Sequence, residues 1–238
     1  MANIVTKHIP NTLTSCNLVS GCIAIVFALN ANYTMALTFI VVGAVFDFFD
    51  GMSARLLGVS SPIGKELDSL ADVVTFGVAP SSMIYTLLLT LDKSGWNETL
   101  ASAVPYVAFV MAAFSAIRLA KFNLDERQTT SFIGLPTPAN ALFWAALIVG
   151  SEDMLVAQSH VILLLIVLVF ISSWLLVAEI PMFALKFKHF GWQGNGLRYG
   201  FILASALLLV LLQWQGFAAI IVLYVICSVI HNALQRNA

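Results

Sequence analysis

The sequence predicts an all-α fold, a polytopic membrane helix bundle of about eight transmembrane helices, with six as the alternative count. Three observations carry that reading. Of the residues, 60% are hydrophobic and only 10% charged; mean hydropathy is +0.94; and the apolar residues fall into long runs separated by turn chemistry. A water-soluble domain is nearer half apolar and about a quarter charged, so an excess of this size belongs to a chain that crosses a bilayer repeatedly. With 238 residues, the chain reads as one membrane domain over 1–238.

The spans follow in order. Apolar windows cover 12–31, 34–56, 63–91, 100–121, 138–150, 159–178, 197–213 and 215–232. Their ends fall at Asn30-Ala31-Asn32, Ser60-Ser61-Pro62, Lys93-Ser94-Gly95 and Pro136-Thr137-Pro138. The fifth window is shorter than the roughly 20 residues a full span needs, although Thr137 and Pro138 make a good helix start. Merging or dropping weak windows gives the six-span count. No small-residue cleavage pattern follows the first run, which is expected to stay as the first span. Gly43 and Ala204-Ser205-Ala206 suit close helix contact.

Charge sets the orientation. With an even number of spans and both termini cytoplasmic, the inner side holds Lys7, Arg55, Lys65, Arg118, Lys121, Arg127, Lys186, Lys188, Arg198 and Arg236, and the outer side only Lys93. That asymmetry follows the positive-inside rule and predicts an inner (cytoplasmic) membrane protein. A net charge of −1 and the lack of a basic tract argue against nucleic acid as a partner. Cys16, Cys22 and Cys227 read as small buried hydrophobes. The four histidines are scattered, and "GWQGNG" (Gly191 to Gly196) lacks the lysine and strand of a phosphate loop.

Against this apolar background, "DFFDGMSARLLGVSSPIGKELDSLAD" (Asp47 to Asp72) is anomalous. Asp47 and Asp50 are three apart near the inner end of the second span; Asp68 and Asp72 are four apart near the start of the third. Each pair shares a helix face, with Cβ atoms roughly 5–6 Å apart, about 10 Å inside the cytoplasmic ends. A hairpin therefore brings four carboxylates to one depth. One aspartate at mid-span costs about 2.5–3.5 kcal/mol, and Arg55 and Lys65 cannot neutralise four. Two divalent cations, Mg²⁺ or Mn²⁺, can, as in sites that activate phosphoryl groups. Gly51 and Gly64 leave room for a ligand against the backbone, and Arg55 suits a phosphate. The plainer alternative is a chance cluster pairing with Arg55, Lys65 and interfacial water.

The stretch resembles the signature of the CDP-alcohol phosphotransferase family, D-x2-D-G-x2-A-R-x8-G-x3-D-x3-D, with Asp47, Asp50, Gly51, Ala54, Arg55, Gly64, Asp68 and Asp72 at its fixed positions. "HIPNTLTSCNLVSGCIAI", "AIRLAKFN" (Ala116 to Asn123) and "FIGLPTPAN" (Phe132 to Asn140) are similar to segments of the integral-membrane bacterial subgroup that uses serine. The resemblance implies CDP-diacylglycerol as donor, L-serine as acceptor, phosphatidylserine and CMP as products, and a homodimer in the lipid membrane. It implies that Asp47, Asp50, Asp68 and Asp72 hold the two cations and that Asp72 is also the general base. Gly51, Ala54, Arg55 and Gly64, with Asp50 and Asp68, would form the CDP site.

Secondary candidates are read against plainer roles. Arg118 and Lys121 suit a serine carboxylate or lipid phosphate, or are snorkelling anchors. Asn123 and the Gly134–Asn140 loop shape an acceptor pocket, or form a helix-entry turn. Asn11, Thr14 and Asn17 contact the nucleotide, or the first two cap the first helix. Lys186 and Lys188 attract anionic lipid, or are ordinary loop charge. Glu179 has no assigned role. Two competing functions stay open: a sibling enzyme using glycerol phosphate, inositol phosphate or choline, and a cation transporter. The transporter does not account for Ala54, Arg55 and Gly64 at their spacings.

Overall fold

The structure is a computed structural model and describes residues 4–59, 61–125, 132–158, 160–183, 191 and 195–236. Arg127, Lys186 and Lys188 of the charge pattern, Ser60, and residues 192–194 of the glycine-rich segment lie outside these. Among the described residues, eight continuous helical segments follow one another: α1 (Ile4–Leu29), α2 (Tyr33–Leu57), α3 (Pro62–Thr90), α4 (Glu98–Leu124), α5 (Thr137–Val156), α6 (Val161–Val177), α7 (Gly196–Leu212) and α8 (Trp214–Arg236). Six are long and apolar enough to cross a membrane, and α6 and α7, at 17 residues each, are the shorter apolar pair. The two sequence counts, eight and six, thus describe the same bundle under different length criteria.

Boundaries follow local chemistry. The Asn32 side chain accepts from the Met35 N–H at the start of α2, and Gly58 ends that helix at φ 62°. Ser61 accepts from the Gly64 N–H, with Pro62 opening α3. Two predicted edges moved. The α5 helix runs on to Val156, well past the expected end at 150, because exposed Glu152 and Asp153 lower hydropathy without interrupting helical hydrogen bonding. The α1 helix starts at Ile4, so Asn11 and Thr14 lie inside it and are not caps. Thr12 and Ser15 bond to carbonyls one turn back instead.

The α3 helix is the axis of the bundle. It packs against α1, α2, α4 and α5, and 67% of its apolar window is buried, against 11% for α8. Its core includes Phe76, Met83, Ile84 and Leu87, and across it Trp144 of α5 donates from Nε1 to Ser172 Oγ of α6 at 3.0 Å. Outward faces carry exposed apolar side chains such as Phe48, Leu203 and Val210, the inverse of a water-soluble surface. On α7, Ala204 and Ser205 are half-buried while Ala206 is exposed.

A two-stranded antiparallel pair, β1 (Phe132–Ile133) and β2 (Pro181–Met182), interrupts the all-helical plan, with Phe132 opposite Met182 and Ile133 opposite Pro181. It staples the connection before α5 to the one after α6. Next to it, Gly134 sits at φ 76°, and its N–H donates to Ile180 O at 2.9 Å. A Cβ there would come within 2.7 Å of Leu176 O and 3.0 Å of Ala178 O. Gly134→Ala is therefore expected to lower stability by about 2 kcal/mol or more, read as an earlier thermal unfolding midpoint in detergent. An unchanged midpoint would mean that this turn does not hold α5 to α6.

Candidate active site and metal centre

The hairpin of α2 and α3 does bring the signature together, and α1 closes it. Asp47, Asp50 and Asp68 each direct a carboxylate oxygen into a group whose members lie within 4.8 Å of one another. Asp72 stands one turn further along α3, outside that group but close enough for the other three charges to act on it. The expectation of four carboxylates at one depth is thus refined to three together and one offset. Asp50 and Asp72 are buried.

Two α1 residues hold these carboxylates. Thr14 Oγ1 donates to Asp50 Oδ2 at 2.7 Å, and Asn17 Nδ2 donates to Asp72 Oδ1 at 3.2 Å. The sequence suggests both as nucleotide contacts; in the structure each donates to an aspartate, and Thr14 also lines the cavity described next. Asp68 Oδ1 is buried without a hydrogen-bond partner. Oxygen donors only, an orphaned buried carboxylate oxygen and mutual proximity suit a hard divalent cation. Lys65 Nζ donates to Asn123 O rather than to the group, and Arg55 is exposed on the last turn of α2.

Beside the group opens a cavity of about 330 Å³ lined by Pro10, Asn11 and Thr14 of α1, Asp50, Gly51 and Ala54 of α2, and Gly64, Lys65 and Asp68 of α3, with Val59 and Ser61 between α2 and α3. Nothing lies within 4 Å of where a Gly51 Cβ would point, so that face is open to a ligand. A Gly64 Cβ would come within 3.0 Å of Asn11 Oδ1 and Ser61 Oγ. Arg55 departs from expectation: it is exposed on the last turn of α2 and is not among the lining residues. Its helical position carries it past the face that Asp50, Gly51 and Ala54 present.

The acceptor candidates separate. Arg118 is not a snorkelling anchor: it is buried, its guanidinium lies 5.9 Å over the Phe122 ring, and Nη1 reaches Thr137 Oγ1 at 3.5 Å. Its Nε is buried without a partner, and its charge interacts with that of Asp72. Arg118 and Lys121 line a narrow cavity of about 40 Å³ with Asp125 and Glu179. Asn123 has a different job. Its Nδ2 donates to Ser69 Oγ at 2.8 Å and its carbonyl accepts from Lys65 Nζ at 2.6 Å, which ties α4 to α3. In the Gly134–Asn140 segment, Asn140 is buried with both amide atoms unpartnered and lines an apolar cavity between α5, α6 and α8.

One feature of the site has no signature in the residues. Immediately after Asp72, Val73–Val78 form a π-helical turn within α3, a device frequent at functional sites. Thr75 within it is completely buried and donates to Asn17 O at 3.0 Å.

Comparison with known proteins adds to this geometry. The family described as CDP-alcohol phosphatidyltransferase matches residues 7–230. A CDP-diacylglycerol–serine O-phosphatidyltransferase of Bacillus subtilis is 39% identical over 136 residues, which cover 56% of this chain and 70% of that protein. Proteins of the same name from Mycobacterium leprae and Methanocaldococcus jannaschii are 33% and 37% identical, over 73% and 56% of this chain. The chain spans 57% of the length of each of those two relatives.

Proposed function

The chain belongs to the CDP-alcohol phosphatidyltransferase family, and from that premise we propose that it transfers the phosphatidyl group of CDP-diacylglycerol to the hydroxyl of L-serine, releasing CMP, in phospholipid synthesis. The observation that carries this is the cavity in which Asp50, Gly51 and Ala54 face Gly64 and Asp68 beside three converging carboxylates.

Asp47, Asp50, Asp68 and Asp72 are the residues to hold two divalent cations, Mg²⁺ or Mn²⁺. When bound, such ions neutralise pyrophosphate charge and polarise the lipid-bearing phosphorus. The remaining work falls to the protein. Gly51 leaves open space for the pyrophosphate to approach the backbone, and Asn11 and Lys65 bring polar groups to the cavity wall. Asn17 engages Asp72 Oδ1 and leaves Oδ2 to take the proton of the serine hydroxyl. The serine oxygen forms a bond to the lipid-bearing phosphorus as that phosphorus loses its bond to the bridging oxygen. CMP departs with the electron pair.

Serine is favoured over the phosphorylated acceptors by the cavity beside Arg118. Its lining pairs two cations, Arg118 and Lys121, with two acids, Asp125 and Glu179. A zwitterion matches both signs, whereas a phosphorylated alcohol brings only negative charge towards the acids. The lysine and arginine asymmetry supports a site facing the cytoplasm, with both termini on that side of the inner membrane; a homodimer follows from the family resemblance.

The test supplies purified protein in detergent with CDP-diacylglycerol, Mn²⁺ or Mg²⁺ and each candidate alcohol, and measures CMP and the lipid formed. Serine-dependent CMP is expected. Release that depends on glycerol phosphate or inositol phosphate would establish a sibling enzyme instead. Arg118→Ala is expected to raise the apparent serine KM by about tenfold, the loss of one charge-assisted contact. An unchanged KM would leave Arg118 a purely structural role.

A further inference from the structure

We infer that Thr75 is a positioning residue for Asp72, acting through Asn17 and the π turn between them; the inference rests on the reading of Asp72 as the base. Asp72 is the last residue of the α-helical first part of α3, and the widened turn begins at the next residue. Within it the Ala79 N–H reaches back five residues to Val74 O. The extra residue delivers Thr75 to the same α1 residue that already holds the aspartate. Asn17 therefore grips α3 at two points: its side-chain amide donates to Asp72 Oδ1 at 3.2 Å, and its carbonyl accepts from Thr75 Oγ1 at 3.0 Å.

The seat of Thr75 is cut to its shape on both sides. A Cβ on Gly21 of α1 would lie 2.3 Å from Thr75 Oγ1 and 2.8 Å from its Cα. A Cβ on Gly43 of α2 would lie 2.5 Å from the Thr75 methyl and 2.9 Å from Asn17 Oδ1. Hydroxyl towards α1 and methyl towards α2, the side chain has one orientation available. Packing alone does not call for a hydroxyl here. The turn reads Val-Val-Thr-Phe-Gly-Val, and a valine has nearly the same volume but cannot bond to Asn17 O. What threonine adds is one directional bond to Asn17, which sets the register of α1 against α3 at the depth of Asp72.

The substitution that separates the two roles is Thr75→Val, with Thr75→Ser as the conservative control, both assayed as full chains beside wild type for serine-dependent CMP release. Thr75→Val is expected to lower kcat by about tenfold or more, while KM for CDP-diacylglycerol and for serine each stay within about twofold, since a small misplacement affects the reacting atoms more than binding. Thr75→Ser should recover most of that kcat. The thermal unfolding midpoint of Thr75→Val should match wild type. A wild-type kcat in Thr75→Val overturns the inference and leaves the enzymatic reading standing. So does a loss that tracks a fallen midpoint and that serine fails to rescue. A wild-type protein with no serine-dependent CMP overturns both.

Discussion

Replacing Asp72 by asparagine is expected to cut serine-dependent CMP release by about 10³-fold or more, the scale on which a positioned base contributes, with the protein still folded. The substitution keeps size and shape. An asparagine can present its side-chain oxygen to Asn17 Nδ2, so the contact that now spans 3.2 Å has a replacement and the buried amide of Asn17 is not orphaned. What is lost is the negative charge and the ability to accept a proton. The measurement is CMP release alongside a thermal unfolding curve in the same detergent. Turnover within about tenfold of wild type would remove Asp72 from the role of base, because an asparagine cannot take the proton.

Stripping divalent cations is the second large effect. Chelated protein is expected to release no measurable CMP and to regain turnover with Mg²⁺ or Mn²⁺. Three carboxylates lie within 4.8 Å of one another. Two ionised groups at that separation repel by about 3–4 kcal/mol at an effective dielectric near 20, and one Asp68 oxygen is buried without a partner. An ion relieves both. Its binding also stabilises the fold, by about 2.7 kcal/mol at a hundredfold excess over Kd. Mn²⁺ should accordingly raise the unfolding midpoint of the wild type and not of an Asp47→Ala, Asp68→Ala double variant. A midpoint indifferent to Mn²⁺ in the wild type, or turnover that survives chelation, would break the assignment of these residues as ligands.

Much of this was readable from residue pattern, and what was not has physical causes. Long apolar runs locate helices because each span must satisfy its own backbone in lipid, so all eight windows found a helix. Hydropathy says little about where a helix stops, which is why Glu152 and Asp153 shortened the expected fifth span and the polar residues around Asn11 shortened the first. Spacing puts Asp47 with Asp50 on one face of α2 and Asp68 with Asp72 on one face of α3, because three- and four-residue steps share a helix face. It could not resolve Asp72 from the other three, since the offset depends on how α2 and α3 slide past each other. Nor does a short run of residues announce a π turn; Val73–Val78 packs against α1, α2, α4 and α5 in the assembled bundle. Arg55 and Asn123 are matched to a ligand by residue type and by their places in the segments that carry the resemblance. Exposure at the end of α2 and a clamp on Ser69 were decided by the tertiary packing.

The contribution of α1 to the carboxylates also bears on the order in which the molecule is made. Synthesis delivers the N-terminal helix first, and α1 carries Thr14 and Asn17, the donors that Asp50 and Asp72 engage. By the time the aspartates arrive, their partners are already in place, which offsets part of the expense of admitting charge into lipid. The acidic hairpin is for the same reason not a portable cassette. Lifted out as residues 47–72, it would take its charges to a new host and leave behind the hydroxyl and amide that make them tolerable.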